Sequence, residues 1–91
     1  MAEARVRRAH TLGLTTAKER AESACGEFAA KYGAKFEWKG DDLHFSRGPI
    51  KGKFMVREAD VEFYANLGLL GGLLKGKVES RVKDVLDKYF T

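Results

Sequence analysis

The stretch Phe36-Glu37-Trp38-Lys39-Gly40-Asp41-Asp42-Leu43-His44-Phe45 decides how this chain folds. On both sides of Gly40-Asp41-Asp42 the apolar residues fall at every second position, and that alternation about a Gly-Asp turn marks an antiparallel hairpin with one buried face. The pattern continues outward. Past a break at Arg47-Gly48-Pro49, Ile50, Gly52, Phe54 and Val56 face one way and Lys51, Lys53, Met55 and Arg57 the other. A tight turn through Glu58-Ala59-Asp60 leads to Val61, Phe63, Ala65 and Leu67, alternating with Glu62, Tyr64 and Asn66. These segments predict a meander of four strands with one apolar and one charged face.

On either side of the meander the period becomes helical. Residues 3–9 read as a short strand and Gly13 as a turn. Thr16, three residues before Glu19, predicts a capping box at a helix start. Ala17, Ala21, Ala24, Cys25, Phe28, Ala29 and Tyr32 then form one apolar stripe, small in its first half and bulky in its second, and Gly33 ends the helix. At the other end Leu70, Leu74, Val78, Val82, Val85, Leu86 and Tyr89 share one side of a long amphipathic helix. The expected class is α+β: an antiparallel sheet of about five strands in the order β-α-β-β-β-β-α, with both helices on one face, a reduced helix-grip-like layout. No linker, repeat or low-complexity tract interrupts residues 1–91, so one domain is expected.

Composition narrows the function classes. A 91-residue chain has little room for a large enclosed active site. A single cysteine, Cys25, allows no internal disulfide and no cysteine-based metal cluster, and points to a reducing compartment. Glu3, Arg5, Arg7 and Arg8 with no apolar run behind them do not read as a secretory signal. Leu67 to Leu74 is the longest uncharged apolar run and falls far short of the ~20 residues of a membrane span. The expected location is cytoplasmic. The 17 basic and 13 acidic side chains are interspersed, a solvated surface with a mild preference for anionic partners.

Several short motifs then occur in one register: His10-Thr11-Leu12-Gly13, Ala21-Glu22, Trp38-Lys39-Gly40-Asp41-Asp42-Leu43-His44-Phe45, Leu67-Gly68-Leu69-Leu70, Glu79 and Leu86-Asp87. Together they resemble the polyhydroxyalkanoic acid system family, small bacterial proteins associated with polyhydroxyalkanoate granule genes. The resemblance runs over nearly the whole chain. It implies a bacterial cytoplasmic protein linked to storage-polyester metabolism and carries no assigned reaction or catalytic residue. Gly71, Gly72 and Gly76 depart from it by making the start of the last helix unusually rich in glycine.

No side chain demands a catalytic reading. His10, in the turn before the first helix, is the most tempting functional polar residue, but a lone histidine there more often fixes a loop through a backbone hydrogen bond. His44 alternates onto the polar face, Cys25 sits on an apolar stripe, and Asp41-Asp42 is ordinary turn chemistry. No phosphate loop, serine elbow or nucleotide fingerprint is present. The expectation is a protein that is not an enzyme and holds no cofactor and no metal.

The segment Leu67-Gly68-Leu69-Leu70-Gly71-Gly72-Leu73-Leu74-Lys75-Gly76 asks for a reason. In a helix each interior glycine costs about 1 kcal/mol against alanine. Gly68, Gly72 and Gly76 would share one face, and Leu69, Leu70, Leu73 and Leu74 cannot all enter one core stripe, because consecutive helical residues differ by about 100°. Exposed leucines beside Lys75 and Lys77 would suit docking on a granule surface or granule-associated protein. The plainer reading has the leucines capping the sheet and the glycines making a turn. Two other functions stand beside granule binding. The first is a small acyl or hydroxyacid carrier with a pocket lined by Phe36, Trp38, Phe54, Phe63 and Tyr89, against which stands a filled core. The second, a nucleic-acid-binding regulator using Arg5, Arg7, Arg8 and the basic side of the last helix, is disfavoured by the mixed charge. A homodimer through an edge strand stays open.

Overall fold

The computed structural model describes residues 2–48, 50–68 and 71–90, with the side chains of residues 2, 32 and 71–74 outside that description. The chain runs β1 (Ala2–Ala9), α1 (Gly13–Tyr32), β2 (Lys35–Lys39), β3 (Asp42–Arg47), β4 (Ile50–Val56), β5 (Asp60–Gly68) and α2 (Gly71–Tyr89). The strands form one sheet in the order β1-β5-β4-β3-β2, antiparallel throughout. This is the expected α+β class with its β-α-β-β-β-β-α order, and it is compatible with a helix-grip-like layout.

The topology follows from the hairpins. Each of β2 to β5 pairs with the next, as the alternation predicts, with Phe36 opposite Phe45 and Phe54 opposite Phe63. β1 then closes against β5, putting β1 and β2 at opposite edges. The connection between them is α1, whose 20 residues reach about 30 Å at 1.5 Å each, more than the roughly 19 Å across five strands. α1 packs on β2, β3 and β4, while α2 covers β1 and β5 and touches α1. Both helices thus share the apolar face.

Burial explains why. Ala17, Ala21, Ala24 and Cys25 of α1 are buried, and their small side chains let that helix sit close to the sheet. Val82 and Leu86 of α2 meet Leu43, Phe54, Val61, Phe63 and Leu67 in the core. Gly33 closes α1 with φ of 71°, a left-handed conformation that glycine adopts without a side-chain clash, and its N–H donates to the Ala29 carbonyl at 2.9 Å.

Two expectations are corrected. α1 begins at Gly13, so Thr16 lies inside its first turns and no side-chain cap forms at Leu12. The first turn is tied from outside instead: the Leu12 N–H donates to Nδ1 of His10 at 3.1 Å. Gly68 ends β5 with φ of 64° and so cannot share a helical face with Gly72 and Gly76. Phe90, just beyond α2, was not read as core, yet it is 2% exposed and packs against the ring of His10 with centroids 5.7 Å apart.

Candidate functional site: an apolar cavity with a cationic rim

The sheet presents its inner face in rows of opposed residues. One row, Val6, Phe63, Phe54, Leu43 and Trp38, is large from β1 across to β2. The adjacent row reads Ala4, Ala65, Gly52, Phe45 and Phe36, so three neighbouring strands offer almost no side chain. The result is a cavity of about 310 Å³ between the two helices and the sheet.

Its floor is Ala65 with Phe45, Phe54 and Phe63, three rings whose centroids lie 5.1 to 6.0 Å apart. Phe45 leans over Gly52, where an added Cβ would stand 2.6 Å from its Cζ and 2.4 Å from the Tyr64 carbonyl oxygen. Cys25 and Phe28 of α1 form one wall, and Val78 and Val82 of α2 the other. Burial pushes the Cys25 thiol up to about 12, which keeps it a neutral, apolar part of that wall.

All the charge on the lining has one sign. Arg47, Lys77 and Arg81 border the cavity, and among the described residues that line it there is no carboxylate. Arg47 ends β3 on its inward-facing side, level with Ile50; Lys77 and Arg81 stand four residues apart, one above the other on α2. Neither Lys77 nor Arg81 enters an ion pair among the described residues. A second hollow of about 230 Å³ between the helices carries both signs, with Glu27 and Asp84 beside Lys31 and Lys88.

The far end of α2 is tied down. Arg8 bonds the carboxylate of Asp87 and donates from Nε to the Phe90 carbonyl at 3.4 Å; Arg20 donates to the Tyr89 carbonyl at 3.4 Å. The Tyr89 hydroxyl donates to Glu27 at 2.8 Å; that bond, with Lys88 nearby, holds the carboxyl below its usual range, and the same bond to Glu27 raises the phenol. The cavity sits toward the other end of α2, where the chain arrives from Leu67 through the leucine-glycine segment.

The sequence-derived residues are distributed as follows. Phe36, Phe54 and Phe63 line the cavity together. Trp38 does not; it is half-buried at the sheet edge with Lys18 Nζ 5.1 Å from its ring centroid. Tyr89 is engaged with Glu27 at the opposite end. Lys75 and Lys77 are exposed, and Lys77 alone of the two borders the cavity. Leu69 and Leu70 lie outside the described residues, as do the side chains of Leu73 and Leu74. His10 is buried with both ring nitrogens engaged: Nδ1 accepts from Leu12, so Nε2 carries the proton and donates to the Arg57 carbonyl at 3.1 Å. Asp41 pairs with Lys18 at 3.0 Å. Among the described residues no three His, Cys, Asp or Glu side chains gather in a metal-holding group.

Of the residues proposed for nucleic acid, the three arginines of β1 are engaged within the fold. Arg5 lies 4.7 Å above the Tyr64 ring and 3.9 Å from Glu62, Arg7 bonds Asp60 at 2.6 Å, and Arg8 holds Asp87. Sequence reasoning missed Arg47, Arg81 and Phe45 as cavity residues. Their signal was present in part, since Arg47 continues the inward alternation of Leu43 and Phe45.

The family model described as "Putative polyhydroxyalkanoic acid system protein" matches residues 4–90. The chain belongs to this family. The match takes in both helices, β2 to β5, β1 from Ala4 onward and every cavity-lining residue, so the cavity lies within the family's own extent. No curated protein and no solved structure matches the chain. Membership links the protein to the polyhydroxyalkanoate system, and among the described residues no helix is long and apolar enough to cross a membrane.

Proposed function

We propose that this protein is a non-catalytic accessory component of polyhydroxyalkanoate storage-granule metabolism, acting in the cytoplasm at the granule, and that the cavity end of the fold is the face that engages the granule surface or a granule-associated protein. The observation that carries this reading is the chemistry of that end. It combines an apolar opening, the ring of Phe36 at 39% exposure on its border, and a rim of like-charged Arg47, Lys77 and Arg81. A storage polyester offers ester oxygens and alkyl side chains, and a granule coat adds anionic groups; apolar contact with flanking cations suits such a surface.

The leucine-glycine segment fits the same role, because it joins two cavity-bordering residues, Leu67 and Lys77. In polymer-accumulating cells a fluorescent fusion of the protein gathers on granules, and Leu69→Asp with Leu73→Asp disperses it while the purified variant keeps its helical circular dichroism. A diffuse wild-type signal in cells filled with polymer contradicts the proposal.

A further inference from the structure

We infer that the cavity is a binding site for a single medium-chain carboxylate, its unbranched tail lying over Ala65 among the Phe45, Phe54 and Phe63 rings and its head held at the rim by Lys77 and Arg81. This goes beyond docking on a surface, since it assigns a discrete soluble ligand to the isolated domain.

Three features select that class. The cavity volume of about 310 Å³ matches roughly ten heavy atoms at ~30 Å³ apiece, the size of an eight-carbon acid, and sits at the lower bound of ordinary ligand sites. Among the described residues the interior is aromatic and aliphatic, with a neutral thiol as its softest polar group, so that lining accepts a hydrocarbon and offers no buried side-chain donor for a sugar or nucleotide. The charged groups of the described lining are all cations, and Lys77 and Arg81 stand one turn apart on α2, so a ligand with one apolar and one anionic end finds a partner for each. A cationic or zwitterionic amphiphile meets like charge at the same place.

The gap also has a sequence cause independent of any ligand. Ala4, Ala65 and Gly52 lie side by side across β1, β5 and β4. Of the three only Ala65 lines the cavity, and valine or leucine there would reach into the space, whereas at Gly52 the Phe45 ring already takes the place of a side chain.

The test is calorimetric titration of the purified full chain with butanoate, hexanoate, octanoate and decanoate, and with 1-octanol as the uncharged partner of octanoate. Affinity rises about fourfold per added methylene and levels off near eight carbons, where the cavity is full. Octanol binds at least tenfold more weakly than octanoate. Lys77→Glu with Arg81→Glu lowers octanoate affinity tenfold or more and changes octanol less than twofold. Ala65→Leu, which fills the floor, removes binding of both; should that variant not fold, the surface pair decides alone. The inference is overturned by the absence of octanoate binding at millimolar concentration, by affinities that do not depend on chain length, or by charge-reversal variants that bind octanoate as well as wild type. None of these outcomes bears on whether the protein sediments with granules, so the site and the granule role fail separately.

Discussion

Phe45 lies over Gly52 across the β3–β4 pairing, filling the place a side chain on Gly52 would take. Because the Tyr64 carbonyl crowds the same point from β5, turning the ring aside would not by itself make room for a methyl group. Gly52→Ala therefore destabilises the fold by about 1–3 kcal/mol, the usual cost of overpacking. Urea unfolding monitored by circular dichroism checks this; an unchanged midpoint contradicts the packing described.

His10 ties three parts of the chain. Its ring bonds the Leu12 amide at the start of α1 and the Arg57 carbonyl after β4, and it packs at a tilt against Phe90 after α2. Replacing it with alanine strands a buried donor and acceptor at about 1–3 kcal/mol each when unsatisfied. His10→Ala is expected to lower stability by a few kcal/mol and to speed hydrogen exchange at Leu12 selectively. Equal exchange in wild type and variant contradicts that role.

These two cases show where sequence reading reached its end. The strands were legible because only one sheet face is buried, so period two had to appear in Leu43 and Phe45, in Phe54 and Val56, and in Val61 to Leu67. The end of α1 was legible because a left-handed residue after a helix is nearly always glycine, and Gly33 stands there. The start of α1 was not, since Thr16 and Glu19 form a plausible local cap while the tie actually used comes from His10. Phe90 was missed because a residue beyond a helix has no periodicity to mark it. The cavity was half legible. Alternation places Phe36, Phe54 and Phe63 on the inner face, but which residues fail to fill the interior depends on register, and register alone sets Ala65 beside Gly52. The same register carries Trp38 past the cavity to the sheet edge, so its fluorescence is a poor reporter of ligand.

Asp60 governs part of the acid response. Burial raises its pKa, but the hydrogen bonds and charges of Arg7 and Arg57 outweigh that and hold the carboxyl below its ordinary value of 3.8. A lowered folded-state value means the unfolded chain binds the proton more readily. The contribution is therefore present in full above the ordinary value and is lost as pH falls through the lower, folded one. Asp60→Asn should flatten this part of the stability profile below about pH 4 and leave its shape near neutrality unchanged. Urea midpoints measured from pH 2 to pH 7 decide it; parallel profiles contradict the assignment.

Cys25 should be slow to react. With its pKa pushed to about 12, the native thiol at pH 8 carries far less thiolate than the unfolded one. Native alkylation is expected to be on the order of a thousandfold slower than in urea, where the value returns to about 8.5. Timed labelling with iodoacetamide and mass spectrometry measures this, and similar rates in the two states contradict a buried wall position.

The central claim is that the cavity end of the domain is the face that meets the granule, and co-sedimentation of the purified protein with isolated polyhydroxyalkanoate granules tests it most directly. Wild type should enter the pellet saturably, and Phe36→Asp combined with Lys77→Glu and Arg81→Glu should stay in the supernatant while its circular dichroism matches wild type. Wild-type protein that remains in the supernatant, or a folded triple variant that pellets as wild type does, contradicts the account.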